Sequence, residues 1–432
     1  MKIFFKAIDN SPLIVFRIFF GFLVACESFG AILTGWVKRV LIDPEFTFSF
    51  IGFEWLQPLP GFGMYFYFAL MGFFGLAIML GYRYRIAIIA YTLLWAGAYF
   101  MQKSSYNNHY YLLLLISFLM IFLPANKYAS LDVKQNRVSE EKTMPYWINL
   151  LFIVQVAVVY FYASIAKFYP DWLDGTFTKN LLAGTTSKPF FLELFSQKWF
   201  YLFIAYAGIL FDLLIVPFLL FKKTRTLALI ASVIFHIFNS ITLQIGIFPF
   251  FALTFALFFY EPETIRRLFL RKKSKLEDEN LNQNFYGKRI LYFLIIPYLI
   301  IQIALPLRHH FIEGDVLWTE EGHRLSWRMM LRERNGYITI QIKDLKTGSV
   351  SIYNYRKNLT DKQAQNLATK PDFIWQYCQR IKEEYKGKPI AIYIDCKNSI
   401  NRKEYKTLID PKFDMAKAKW SHFKHNKWIE LQ

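Results

Sequence analysis

Residues 146–172 read YWINLLFIVQVAVVYFYASIAKFYPDW, a nearly unbroken apolar run from Tyr146 to Phe168 that ends on a lysine its pattern does not need. A hydrocarbon core about 30 Å thick takes roughly 20 helical residues, because backbone polar groups in lipid must bond within their own segment. The run is therefore a membrane span, and it sets the fold class. Lys167 is its exception. An ammonium at the edge of a bilayer costs about 2.5–3.5 kcal/mol or more unless it finds a partner, a water-filled cavity or a route to the surface. One reading is an anchor whose butyl stem lies along apolar surface while the charge snorkels to the interface. The other is a chemical role.

The remaining chain agrees with the class. Hydrophobic residues make up 55% and aromatics 19% of 432 residues, and the mean hydropathy is +0.24, too apolar for an ordinary soluble enzyme. Apolar runs at 12–33, 62–81, 86–101, 109–123, 146–168, 200–221, 227–245, 247–260 and 290–305 predict a polytopic α-helical membrane protein of about nine spans. The eighth run is the shortest. The expected division is 1–306, a transmembrane helical domain, and 307–432, an extracytoplasmic α+β domain. With the N-terminus inside, inner segments carry about nineteen Lys and Arg residues against about six outside, so the positive-inside rule puts the N-terminus in the cytoplasm and the C-terminal domain outside. The formal charge of +19 is thus a topology signal, spread over membrane loops, and nucleic acid is not an expected partner. The first apolar stretch lacks a small-residue cleavage site and is expected to remain as a signal anchor. Cys26, Cys378 and Cys396 make neither a disulfide framework nor a metal spacing, and Cys378 and Cys396 have the option of pairing.

Polar residues interrupt the apolar pattern at few places. Asn107-Asn108-His109 opens the fourth span on the side where Lys167 ends the fifth, with Asn107 also suited to capping that helix. His236 and Asn239, three apart in the seventh span, share one helix face, and Ile245 to Phe250 follows. Such groups point into the bundle, where interhelical hydrogen bonding is the alternative to function. The aromatic-rich loop 34–61 is expected at the membrane interface, and the loop 173–198 as a lid or re-entrant segment. The basic run 266–275, followed by Glu277-Asp278-Glu279, reads as a solvated linker. Past Arg308 the period changes: 329–333, Asn335-Gly336 and 337–342 predict a two-residue hairpin, with a further strand at 349–355, helices over 361–386 broken at Pro371, and a strand at 389–395. Arg332 and Arg334 offer guanidiniums to a carboxylate, or serve as a solvated strand face.

Together these pieces resemble the vitamin K-dependent gamma-glutamyl carboxylase family. The matching motifs are Asn107-Asn108-His109, Ala163-x3-Lys167-x3-Asp171-Trp172, Phe235-His236-x2-Asn239-Ser240, Trp318-x8-Trp327-x-Met329-Met330, and Ile409-Asp410-Pro411 with Ala418-x-Trp420-Ser421, in the family's order. The resemblance implies an enzyme, a lyase with an epoxidase half-reaction. Vitamin K hydroquinone, in a bacterium a menaquinol-type quinone, reacts with O2 to give a strong base, a peptidyl glutamate loses its γ-proton, and CO2 or bicarbonate-derived CO2 is added. By resemblance Lys167 is the base and Asn108 and His109 hold or polarise quinone oxygens. His236, Asn239 and Phe248 belong to the quinone pocket, and Trp318, Ser326, Trp327, Arg332, Arg334 and His310 to the glutamate. The implied partners are the lipid bilayer, a lipid-soluble quinol and a glutamate-containing peptide or protein; no metal is implied. Animal members carry a second lysine where Ala166 stands, and a His-Ser-Arg-Ser-His run where this chain has Leu331-Arg332-Glu333-Arg334-Asn335.

Physical chemistry is consistent with these roles: a dry cavity favours a neutral amine able to accept a proton and shields a strong base from water. A quinol oxygenase or epoxidase without a protein acceptor would keep Lys167 and have no need of Arg332 and Arg334. A transporter would place polar groups at the midplane between inverted repeats, neither of which the sequence has.

Overall fold

The computed structural model describes residues 2–184, 189–243, 246–276, 285–329 and 331–432, with backbone alone at 2, 189–191 and 242–243. Met330, Ile245, residues 185–188 of the expected lid, and the Glu277-Asp278-Glu279 cluster lie outside these residues.

Among the described residues six helices are long and apolar enough to cross a membrane: α1 (Ser11–Leu33), α2 (Gly63–Leu80), α3 (Tyr84–Met101), α5 (Tyr146–Ile165), α6 (Lys198–Leu220) and α9 (Lys288–Phe311). Three shorter apolar helices, α4 (Asn108–Met120), α7 (Arg225–Ile241) and α8 (Phe248–Phe258), stand where the fourth, seventh and eighth spans were expected. Nine full crossings are therefore not established. The 13 residues of α4 rise only about 20 Å at 1.5 Å each, short of a hydrocarbon core. α1 and α2 approach closely through small residues. A Cβ at Gly75 would sit 2.7 Å from the backbone nitrogen of Ala25, so only glycine permits this contact.

Ala7–Asp9 (β1) pairs antiparallel with Thr143–Pro145 (β2). Lys273, expected in a solvated linker, is buried there instead: its Nζ donates to Asp9 Oδ1 and Asn10 Oδ1, both at 2.6 Å. Burying a lysine is tolerable where a carboxylate and further acceptors meet it.

The C-terminal domain is built on a four-stranded antiparallel sheet in the order β4-β3-β5-β6, from Val350–Ile352, Arg334–Asp344, Ile390–Ile400 and Lys406–Thr407. Ile338, Ile340 and Ile342 alternate inward along β3 and pack with Ile392 and Ile394 of β5 under α10 (Asp361–Thr369) and α11 (Pro371–Glu384). The break at Pro371 falls where the sequence predicts it. Asn335-Gly336 does not form a hairpin turn. Both residues lie inside β3, paired with Ser399 and Asn398, and 329–333 is not a strand among its described residues. Glycine is needed there for a different reason: a Cβ at Gly336 would collide with the Ala368 carbonyl of α10 and come within 2.8 Å of the Asn398 amide. Cys378 and Cys396 are both buried free thiols.

The loop 34–61 is more than an interfacial belt. Phe48 is buried in the C-terminal domain's core, its ring 4.7 Å from that of Phe373, and Gln363 Nε2 donates to the Phe46 carbonyl at 2.8 Å. Lys103 adds a buried 2.8 Å ion pair to Asp372, which also receives Arg324 at 2.6 Å. Two hydrophobic cores, one helical and one α+β, are thus docked through aromatic and charged contacts.

Candidate active site

α5 ends at Ile165, and Pro170, with Tyr169 held extended before it, turns the chain toward the short helices Pro170–Leu173 and Thr176–Ala183. Two anchors bracket Lys167. Ser164 Oγ donates to the Ile209 carbonyl at 3.2 Å and Trp172 Nε1 to the Ala205 carbonyl at 3.0 Å, both on α6. Asp212, three residues past Ile209 and so on the same helix face, meets the Lys167 Nζ in a buried ion pair. Lys167 is 7% and Asp212 6% exposed, and the ammonium also lies 5.3 Å above the Trp172 ring. A snorkelling anchor would reach water. This lysine turns inward.

The pair faces an apolar cavity of about 200 Å³ among α4, α5, α6, α7 and α8, lined also by His109, His236, Asn239, Phe248 and Met329. His109 stacks on Phe248 with ring centroids 3.8 Å apart, and Tyr160 Oη is 2.9 Å from His236 Nε2. Of the residues expected around a quinone, Lys167, His109, His236, Asn239 and Phe248 therefore share one chamber. Asn108 does not line it. Its side chain accepts from Tyr106 Oη at 3.0 Å and donates to the Arg328 carbonyl at 3.0 Å, which holds the chamber's roof. Asn107 caps α4, accepting from the Tyr110 amide at 2.7 Å.

The roof is residues 320–329. Glu320, Leu325 and Trp327 adopt left-handed φ values of 62°, 60° and 58°, a conformation costing on the order of 1–2 kcal/mol for each non-glycine residue. Leu325 N donates to Tyr106 Oη at 2.8 Å, and the fully buried Trp327 packs on Tyr111 with centroids 4.9 Å apart. Beyond the roof opens a second, more polar cavity of about 880 Å³ lined by Ala166, Tyr169, Asp171, His309, His310, Trp318, Ser326 and Arg328. Adjacent residues thus divide between the two chambers: Ala166 outside and Lys167 inside, Arg328 outside and Met329 inside.

Trp318, Ser326 and His310 of the expected glutamate site line this outer chamber, whereas Trp327 is a pillar of the partition. Arg332 and Arg334 line neither chamber. Both pair with the buried Glu320, and Arg334 further donates to the carbonyls of Leu317 and Trp318. Burial pushes the Glu320 carboxyl up, but Arg332, His323 and Arg334 together hold it well below the ordinary carboxylate value. The sequence reading passed over Asp212. Its signal was present: a lone carboxylate within an apolar 23-residue helix is a functional candidate by default.

Residues 5–263 match the HTTM domain, and residues 287–432 match the lumenal domain of the vitamin K-dependent gamma-carboxylase. The chain belongs to the vitamin K-dependent gamma-carboxylase family. It is a multi-pass membrane protein with a C-terminal lumenal domain containing strands. The family's two parts meet where the two chambers do, since the first match supplies Lys167 and Asp212 and the second supplies Met329 and Arg328. No solved structure matches the chain.

Proposed function

We propose that this protein is a vitamin K-dependent gamma-glutamyl carboxylase of the bacterial cytoplasmic membrane, with its N-terminus cytoplasmic and its C-terminal domain outside. It couples oxygenation of a menaquinol-type hydroquinone to carboxylation of a peptidyl glutamate. The observation that carries this reading is the buried Lys167–Asp212 pair in an apolar chamber, separated from a polar outer chamber by residues 165–171 and 326–329.

The residues present suit a flat, lipid-soluble quinol. His109 and Phe248 offer stacked rings, and the chamber wall is otherwise almost wholly apolar. A bound quinol supplies, with O2, a base strong enough to take a γ-proton from glutamate. The protein's part is to remove the first proton, hold the ring and keep water out. Lys167 and Asp212 have one proton between them beyond the neutral amine and the carboxylate. In a dry site, moving that proton onto Asp212 cancels two buried charges and leaves Lys167 a free amine. Lys167 then accepts the quinol proton while Asp212 remains its partner. His109, His236 and Asn239 face the same space with groups able to bond ring oxygens.

A second reading is favoured by one feature. Arg332 and Arg334 are occupied by Glu320, so two guanidiniums expected at the substrate carboxylate are not free. On that basis the protein would oxygenate a quinol without carboxylating glutamate. Purified protein given reduced vitamin K, labelled bicarbonate and a glutamate peptide separates the two. Fixed label together with epoxide supports the carboxylase, epoxide without label supports the oxygenase, and neither product from folded protein overturns both.

A further inference from the structure

Four arginines crowd residues 324–334, and three of them are spoken for: Arg324 pairs with Asp372, and Arg332 and Arg334 with Glu320. Arg328 is different. Among the described residues no carboxylate forms an ion pair with it, and its nearest side-chain partner is His309 Nε2, 3.4 Å from Nη1. His309 Nδ1 lies 2.8 Å from the Pro306 carbonyl and donates to it, so Nε2 is the ring's acceptor and leaves Arg328 its full charge. The Arg328 Nε is buried without a partner. Asp315, on the same chamber wall, spends Oδ1 on the Leu317 amide at 2.8 Å. Burial, and then repulsion from Arg332, push the Arg328 guanidinium down to about 10 against the opposing pull of Asp315, Tyr169 and Glu320, none of which forms an ion pair with it.

Position adds to this. Arg328 is held by its carbonyl, through Asn108, to the helix that carries His109. Its side chain lines the outer chamber while Met329, next in the chain, lines the chamber of Lys167. A half-buried guanidinium with no ion-pair partner among the described residues, lining a polar cavity, suits a carboxylate that arrives from outside, because the fork matches two carboxylate oxygens and part of the desolvation of the arginine is already met by the fold.

We propose that Arg328 is the residue that grips the side-chain carboxylate of the incoming peptide glutamate in the outer chamber, taking the place that Arg332 and Arg334 cannot fill. This rests on the carboxylase reading for the identity of the occupant, but its test does not require turnover. Full-length protein in lipid nanodiscs is titrated with fluorescein-labelled peptides that are identical except for Glu or Gln at one position, and binding is read by anisotropy. The wild type is expected to prefer the Glu peptide by about tenfold or more, the size of one charge-assisted contact. Arg328→Ala removes the preference by weakening the Glu peptide alone, and Arg328→Lys keeps part of it. Arg328→Met, which retains the stem's packing, gives the same loss if Arg328→Ala does not fold. Equal binding of the two peptides to wild type, or a preference that survives in Arg328→Met, overturns the proposal. A Glu preference that depends on Arg328 in a protein that fixes no label supports the site and sinks the carboxylation reading alone.

Discussion

The Lys167 ammonium and the Asp212 carboxylate are paired across 45 positions of sequence, at the end of one helix and within the next long one. Both are almost wholly buried. Each makes the burial of the other tolerable, and both face the apolar chamber.

Asp212→Asn is expected to lower the rate of quinol oxygenation by about 10²-fold or more, the usual size of a lost proton-handling group. The amide keeps the shape and removes the alternative site for the proton. Lys167→Ala abolishes the reaction, and a small exogenous amine restores part of it. Epoxide formation from reduced vitamin K checks both, and a wild-type rate in Asp212→Asn would show the pair to be purely structural.

Phe248→Ala removes the ring stacked 3.8 Å from His109. Such contacts contribute about 0.5–1.5 kcal/mol beyond area burial, so the KM for the quinol should rise several-fold to tenfold while the KM for a glutamate peptide stays within twofold. Steady-state kinetics with each substrate varied in turn reads the split.

Glu320→Gln leaves Arg332 and Arg334 buried without their common carboxylate. Breaking a buried pair by removing one partner costs about 3–5 kcal/mol, so thermal unfolding in detergent should move down by several degrees. Arg332→Met made together with Glu320→Gln should recover part of the loss.

Acid should weaken the docking of the outer domain. Burial raises the Asp372 carboxyl, yet Arg324 and Lys103 outweigh it and bring it down to about 2 from the ordinary 3.8. Arg324 carries more of this than Lys103, which burial pushes down to about 8 in spite of Asp372. A carboxyl with a depressed folded value contributes stability that is fully present above its ordinary value and is lost as pH falls through the folded one. On the order of 2 kcal/mol should therefore disappear between about pH 4 and pH 2. Asp372→Asn should flatten that part of a stability profile followed by tryptophan fluorescence.

Membrane class and order of elements were legible because apolar length, charge placement and the changes of period are local properties, and the run ending at Lys167 shows all three. Local pattern also misled at Asn335-Gly336. The dipeptide suits a tight turn, but its glycine answers to the Ala368 carbonyl of α10, a neighbour reached only after the sheet folds. In the same way Arg332 and Arg334 read as free cations until Glu320, on a strained loop, took both.

By itself the sequence determined that apolar helices span a membrane, that an α+β domain follows, and that Lys167 and His109 open onto the same side. Only the tertiary structure decided which charges neutralise one another. Asp212 belongs to Lys167, Glu320 to Arg332 and Arg334, and Asp372 to Lys103 and Arg324, leaving Arg328 with no ion-pair partner among the described residues. The physical reason is range: hydrophobic periodicity is written within a few turns of chain, whereas a buried charge is satisfied by whichever partner the packing brings within a few ångströms.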